Sequence, residues 1–132
     1  MKRTSLLIVI LLVLLVSASG QVLPADFYRA VNMVETGGRT GAILGDKGKA
    51  LGPLQIHYTY WLDSRVPGSY SDCSNYTYSC KVMNGYFKRH AQGFVIREDY
   101  QSLARIHNGG PQGHLRAATK NYWLKVRKYL TN

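Results

Sequence analysis

Two acidic residues, Glu35 and Asp46, stand eleven positions apart in the Gly-rich segment 34–56 and have contrasting surroundings. Glu35 falls at the border of an apolar helical stripe that begins at Phe27, where partial burial favours the neutral carboxyl and raises its pKa. Asp46 falls in a polar turn that also holds two lysines, and nearby cations favour the anion. A proton donor beside an anion is the arrangement that cleavage of a glycosidic bond requires.

Each of these acids also has an ordinary structural interpretation. Glu35 can be an exposed residue at a helix terminus, although the C-terminal end of a helix disfavours negative charge. Asp46 can be a simple turn residue, because Asp is common in Gly-rich turns. The two residues together therefore indicate a function more strongly than either one alone.

The elements that must position these residues are mostly helical. Phe27, Val31 and Val34 have helical spacing after Pro24, and Gly37 and Gly38 should end this first helix. Residues 42–51 predict a small β-hairpin around the turn sequence Gly-Asp-Lys-Gly. Further helices are predicted at 53–56, 58–62, 79–91, 99–107 and from about His114 to the end. The pattern predicts an α+β domain that is mostly helical.

Residues 1–20 have the pattern of a secretory signal peptide. Lys2 and Arg3 precede an apolar run of eleven residues, Leu6 to Val16, and small residues follow before Gln21. A membrane span needs about 20 apolar residues, so we expect cleavage rather than a transmembrane anchor. The protein is expected to be secreted, or to reach a lysosomal or digestive vacuole lumen, as one domain covering residues 21–132.

The expected mature domain is basic, with fifteen Lys and Arg against seven Asp and Glu, a formal charge of +8. Such a charge suits an anionic partner, such as a bacterial wall, an acidic polysaccharide, a membrane surface or a nucleic acid. A nucleic acid is the least favoured partner, because the chain has no familiar nucleic-acid motif and carries an export signal.

Two cysteines, Cys73 and Cys80, are present, and in an oxidising compartment we expect them to form a disulfide. They do not indicate a metal site, because zinc binding takes about four ligands and no His stands nearby. Between them, Asn75-Tyr76-Thr77 is an N-glycosylation sequon, so Asn75 is a candidate acceptor.

Four segments occur in an order and spacing that resemble the invertebrate-type lysozymes, also called the destabilase family: VETGG, GDKGKALGPLQI, YWLDSRVPGS and ARIHNGGPQG. The likeness covers about residues 28–130. It implies the lysozyme-like fold and hydrolysis of β-1,4 bonds between N-acetylmuramic acid and N-acetylglucosamine in bacterial peptidoglycan, without a cofactor. Glu35 matches the general acid of the family and Asp46 its second carboxylate. The chain is poor in cysteine for this family, with Gly38, Gly52 and Ser64 where relatives tend to carry Cys.

Five residues are candidates for substrate binding: Gln55, Tyr58, Tyr60, His107 and Asn108. Gln55 could reach the acid or the sugar, although it could equally face water. The tyrosines could stack on sugar rings, although aromatic side chains more often belong to the core. His107 and Asn108 precede a Gly-Gly-Pro helix stop, and the resemblance places that turn at the cleft.

Two other functions stay open at this point. A lytic transglycosylase needs the Glu but no partner Asp, so the presence of Asp46 argues against it. A non-catalytic cationic antimicrobial or carbohydrate-binding protein would explain the basic charge equally well, but it would not need the two acids. Chitin-type oligosaccharides are a further possible substrate.

Overall fold

The computed structural model describes residues 23–130, and the expected signal peptide, residues 1–20, lies outside the described residues. The helices are α1 (Ala25–Thr36), α2 (Tyr58–Ser64), α3 (Tyr76–His90), α4 (Gln92–Ile96), α5 (Tyr100–Gly109) and α6 (Lys120–Arg127). The strands are β1 (Leu44–Gly45), β2 (Ala50–Leu51) and β3 (Ile56–His57). The prediction of a mostly helical α+β domain is confirmed. None of the helices in the described range is long and apolar enough to cross a membrane.

Helix α1 forms and ends where its sequence predicts. Gly37 adopts the left-handed conformation at φ 67° and its N–H donates to the Met33 carbonyl, which is how glycine commonly ends a helix. Inside the helix, the buried side chain of Asn32 donates to the Pro53 carbonyl at 3.0 Å, and the hydroxyl of Thr36 to the same oxygen at 3.1 Å. These bonds tie the end of α1 to the turn that leads into β3.

The predicted hairpin is present, but a third strand extends it. Strands β1, β2 and β3 form an antiparallel sheet in that order. Gly45 pairs with Ala50, and Ala50 pairs in turn with His57. The short helix predicted at 53–56 is wrong. Gln55 has a φ of 52°, which a right-handed helix excludes, so the chain reverses there into β3.

The core lies between α1, α3 and α5, and the sheet covers one edge of it. The largest side chains that are fully buried are Phe27, Phe87, Leu54, Ile56, Met83, Leu103 and Ile106. Asp99 caps α5 as predicted, because its side chain accepts the Ser102 N–H at 3.0 Å. This packing fixes the C-terminal ends of α1 and α5 beside each other.

The C-terminal helix starts later than predicted. Residues 113–119 form two 3₁₀ turns, and α6 begins only at Lys120. The hydroxyl of Thr119 donates to the Gly113 carbonyl at 2.6 Å and also accepts a bond from Arg105 Nε, so the side chain stabilises the turns. Tyr122 and Val126, one helical turn apart on α6, are buried, whereas Leu115 and Tyr129 are exposed.

The predicted disulfide is absent, because Cys73 and Cys80 are both free. Cys73 is fully buried in the turn before α3, where its carbonyl accepts the Ser79 hydroxyl at 2.6 Å. Cys80 lies on α3 and interacts with Tyr76 instead. The two thiols have separate surroundings, and burial raises the pKa of Cys73 to about 12 and that of Cys80 to about 11.

We therefore expect the unreduced protein to contain two free thiols that react slowly while it is folded. The thiolate is the reactive form, and burial disfavours it. Titration with a thiol reagent in denaturant should detect two thiols per chain, and the native protein should react far more slowly. Detection of no thiol in denaturant would instead establish the bond that the structure lacks.

Candidate active site

A cleft of about 420 Å³ brings the two sequence-predicted carboxylates to one surface. Glu35 comes from the end of α1, Asp46 from the β1–β2 turn, and His107 from the end of α5. The complete lining is Glu35, Asp46, Ala50, Gln55, His57, His107 and Asn108. Five of the seven residues proposed from the sequence thus line this cleft, together with the sheet residues Ala50 and His57.

The Glu35 carboxyl is largely buried, with its side chain 20% exposed. Burial raises its pKa from 4.5 to about 7, and the hydrogen bond from Tyr122 and the charge of Lys125 oppose this rise. The Tyr122 hydroxyl donates to Glu35 Oε1 at 2.8 Å. Because Oε1 is occupied in this way, Oε2 is the oxygen left to carry an exchangeable proton.

His107 lies beside Glu35, but its ring is neutral and does not favour ionisation of the carboxyl. Its Nε2 is 3.1 Å from the Leu54 carbonyl, which can only accept a hydrogen bond, so Nε2 carries the proton. Nδ1 then accepts the Tyr60 hydroxyl at 2.9 Å. Burial lowers the pKa of His107 to about 4. Although His107 Nε2 is 3.6 Å from Glu35 Oε1, both side chains are neutral between about pH 4 and pH 7.

Asp46 stands in the opposite kind of environment. Its side chain is 58% exposed, and Oδ2 lies 3.3 Å from His57 Nε2. The sheet creates this neighbourhood, because Gly45, Ala50 and His57 align across the three strands and Asp46 follows Gly45 directly. Asp46 has a φ of 47°, a left-handed conformation that Asp adopts more readily than most residues.

Gln55 reaches the cleft from the β2–β3 turn and not from a helix. Its Nε2 donates to the Ile43 carbonyl at 3.1 Å and to the Gly52 carbonyl at 2.9 Å. These two bonds hold the side chain in one orientation, and they leave its carbonyl oxygen as the atom able to accept a hydrogen bond from a ligand.

The cleft continues into a second hollow of about 340 Å³, which is called the distal hollow below. The two hollows share four lining residues, Gln55, His57, His107 and Asn108. The distal hollow is further lined by Thr59, Tyr60, Asp63, Tyr86, Gly110 and Pro111. The continuity of the two hollows makes room for an extended ligand.

The remaining sequence candidates have different positions. Tyr60 lines the distal hollow, but it is buried and its hydroxyl is engaged by His107. Tyr58 is 53% exposed and lines neither hollow, because its ring packs against Trp61 and Tyr70. Asn75 is exposed and caps α3, where its side chain accepts the Tyr78 N–H.

Two residues of the site were not identified from the sequence. Tyr122 was not proposed as a site residue, and its bond to Glu35 joins positions 87 residues apart. No sequence pattern marked His57 as a site residue, apart from its position two residues after Gln55. Within residues 23–130, no three or more His, Cys, Asp or Glu side chains cluster in a way that could hold a metal ion.

The arrangement provides a proton donor and an anion on one cleft. Glu35 keeps its proton up to about pH 7, which suits a general acid near neutral pH. Asp46 presents an exposed carboxylate from the opposite, sheet side of the cleft. Two carboxyl groups in such different environments can divide the roles of acid and anionic stabiliser.

Comparison with known proteins links the chain to lysozymes, although no protein-family model matches it. It is similar to a lysozyme of Meretrix lusoria, with 36% identity over 99 residues that cover 72% of this chain and 80% of that protein. It is also similar to an invertebrate-type lysozyme of Ruditapes philippinarum, with 37% identity over 79 residues and 58% of each chain covered. A lysozyme of Magallana gigas shares 39% identity over 79 residues, again 58% of each. The chain thus spans little more than half the length of the last two relatives.

Comparison with solved structures also finds lysozymes. The crystal structure of Tapes japonica lysozyme matches with a TM-score of 0.68 and 32% identity, over 84% of this chain and 93% of that one. Meretrix lusoria lysozyme, in its complex with PliI from Aeromonas hydrophila, matches with the same TM-score of 0.68 and 29% identity. The fold described above is therefore shared with these crystal structures.

The raised pKa of Glu35 predicts a pH-dependent effect of Glu35→Gln on stability. Folding favours the protonated carboxyl, so its contribution is fully present below pH 4.5 and is lost as pH rises through about 7. Gln keeps the acceptor for Tyr122 and has no charge to bury. We expect the variant to gain about 3 kcal/mol of unfolding free energy over wild type between pH 4 and pH 8. Urea unfolding at both pH values measures this gain, and an equal difference at both would contradict the burial argument.

Proposed function

The chain belongs to the invertebrate-type lysozymes, and on that premise we propose that it hydrolyses the β-1,4 bonds between N-acetylmuramic acid and N-acetylglucosamine in bacterial peptidoglycan. The observation that carries the proposal is the cleft in which Glu35, a carboxyl that holds its proton up to about pH 7, shares one surface with the exposed carboxylate of Asp46. The similarity to bivalve lysozymes supports it. Chitin-type oligosaccharides are a second substrate of the same chemistry.

In the proposed mechanism, Glu35 protonates the oxygen of the leaving sugar from Oε2 while Tyr122 holds Oε1. As the glycosidic bond breaks, positive charge develops on the sugar ring, and Asp46 stabilises it either by its charge or as a nucleophile. The ionised Glu35 then takes a proton from the water that completes hydrolysis, and this restores the neutral acid. Activity should therefore decline above about pH 7, where Glu35 no longer holds its proton.

The residues around the two carboxyls have supporting roles in this proposal. His107 keeps a neutral ring beside Glu35, because the Leu54 carbonyl and the Tyr60 hydroxyl satisfy both ring nitrogens. A protonated His107 would favour ionised Glu35 and lower its pKa. Gln55 and Asn108 line the cleft and offer amide groups to sugar hydroxyls or acetamido groups.

We also propose that the protein acts after export, against an anionic bacterial wall. The signal peptide pattern of residues 1–20 supports export, and the basic charge supports attraction to the wall. Residues 100–132 contain no Asp or Glu. The Lys and Arg of α6 are exposed at the surface, where they can face anionic wall polymers.

A non-catalytic cationic protein on the same scaffold is the competing function, and the basic C-terminal region favours it. The two functions differ in whether they need the carboxyl pair. A lytic transglycosylase would need Glu35 alone and would leave an anhydro sugar instead of a reducing end.

The carboxyl pair predicts large losses of activity in two isosteric variants. Glu35→Gln removes the proton, and general acid catalysis contributes about 10²–10⁴-fold. Asp46→Asn removes the anion, and we expect a comparable or somewhat smaller loss. Clearing of a bacterial wall suspension measures both, with matched circular dichroism spectra as the control for folding. Clearing by Glu35→Gln at the wild-type rate would favour the non-catalytic function, whereas an active Asp46→Asn would favour the transglycosylase.

The basic charge predicts that salt affects two substrates differently. Screening shortens to about 10 Å at 0.1 M salt, so attraction to a whole bacterial wall should weaken and lysis should fall as salt rises. Cleavage of a short neutral chitooligosaccharide does not depend on that attraction and should change far less. A parallel decline for both substrates would show that salt acts on the fold or on the cleft itself.

A further inference from the structure

The cleft of this basic chain is lined by acidic residues and, among the described residues, by no Lys or Arg. Three of the chain's seven Asp and Glu line the two joined hollows: Glu35, Asp46 and Asp63. Since Glu35 keeps its proton up to about pH 7, the carboxylates of Asp46 and Asp63 give the cleft its negative charge, although the whole chain has a formal charge of +10.

Asp63 is the one member of this group that the proposed mechanism does not use. Structural roles account for other acids: Asp72 and Asp99 cap helical turns, and Asp26 contacts Arg29 at 3.5 Å. Asp63 stands instead at the C-terminal end of α2 and lines only the distal hollow, within the YWLDSRVPGS segment. Its side chain is 44% exposed.

One oxygen of Asp63 is available to a ligand. Oδ2 lies 3.2 Å from His90 Nε2, and no hydrogen bond engages Oδ1 in the described structure. Tyr60 and Tyr86, stacked 3.7 Å apart with their rings nearly parallel, line the hollow next to Asp63. A carboxylate beside apolar rings, with one oxygen fixed and one open, is equipped to receive a hydrogen-bond donor from a bound ligand.

The negative charge of the cleft indicates which kind of hydrogen-bond donor Asp63 would bind. A carboxylate binds a cationic N–H donor more strongly than a neutral one. The hollow adjoins the carboxyl pair through Gln55, His57, His107 and Asn108, so a glycan cut at Glu35 would extend into it. A pairing with His90 alone would not explain why Asp63 lines a hollow that is continuous with the site.

We propose that Asp63 is a specificity-determining residue that binds a primary ammonium group carried by the glycan substrate. The group is either the 2-amino group of a glucosamine that has lost its acetyl group or a free amine on the peptide stem. This inference rests on the proposed function, because it takes the distal hollow as a continuation of the glycan site. The proposal adds recognition of an amine, a substrate feature with which Glu35 and Asp46 do not interact.

Binding to Glu35→Gln tests the proposal without turnover. Titration calorimetry at low salt compares chitohexaose with hexamers in which one defined sugar is glucosamine. At least one such isomer should bind about two- to fivefold more tightly than chitohexaose, the range typical of a partly exposed ion pair. A disaccharide-peptide with a free stem amine, compared with its N-acetylated form, distinguishes the two sources of the amine, and preference in either arm supports the proposal.

Variants at position 63 then assign the preference. In the same background, Asp63→Asn should bring the ratio close to one, whereas Asp63→Glu should retain the preference. Glu98→Gln removes an exposed acid that lines neither hollow and serves as the matched control for net charge. Should Asp63→Asn not fold, Asp63→Ser replaces it.

The proposal is overturned if neither arm shows a preference for the free amine, or if the preference survives in Asp63→Asn. Failure of the proposed function looks different. In that case the wild type would not cleave the wall or the hexamers, while the amine preference measured by binding could still be present and dependent on Asp63.

Discussion

The burial of one carboxyl group, that of Glu35, is the constraint on which the site depends. Glu35 sits in the last turn of α1, where a negative charge is disfavoured by the helix dipole and by the surrounding side chains. The free-energy cost of burying a charge is avoided because the carboxyl stays neutral, and the Tyr122 hydroxyl of α6 donates a hydrogen bond to it. The same burial that makes the group costly to ionise makes it useful as an acid near pH 7.

The neutrality of His107 follows from that constraint. A cation at this position would ionise Glu35, so the ring must be held without a proton on Nδ1. The Leu54 carbonyl and the Tyr60 hydroxyl achieve this by fixing one tautomer, and burial of the ring reinforces it. These bonds join the β2–β3 turn, α2 and α5 around the ring of His107, beside the end of α1. Glu35 is hydrogen-bonded to Tyr122 and lies 3.6 Å from the ring of His107, so a change in either neighbour should be felt at the acid.

The cleft also separates charge within the molecule. Its walls carry carboxyl groups and histidines, whereas residues 100–132 contain Lys and Arg but no Asp or Glu. The outer charge favours approach to an anionic wall at long range, and the inner charge favours cationic groups, on a ring or on a bound amine, at short range. The two fields act at different distances, so they do not oppose each other.

Features that depend on neighbours along the chain were determined by the sequence itself. The end of α1 at Gly37, the Asp99 cap and the hairpin turn around Asp46 all result from local backbone preferences and local hydrogen bonds. The contrast between Glu35 and Asp46 was also visible, because helix periodicity and turn composition report burial.

Only the tertiary structure decided the features that join distant segments. The reversal at Gln55 into β3 depends on pairing with β2, and Pro53, which is suited to the start of a helix, could not reveal it. The two cysteines remain free because the packing of α3 gives each thiol its own neighbours, whatever the redox compartment favours. The bond from Tyr122 to Glu35 spans 87 positions. Contacts at such separations are chosen by the packing of the whole core, and no local pattern in the chain encodes them.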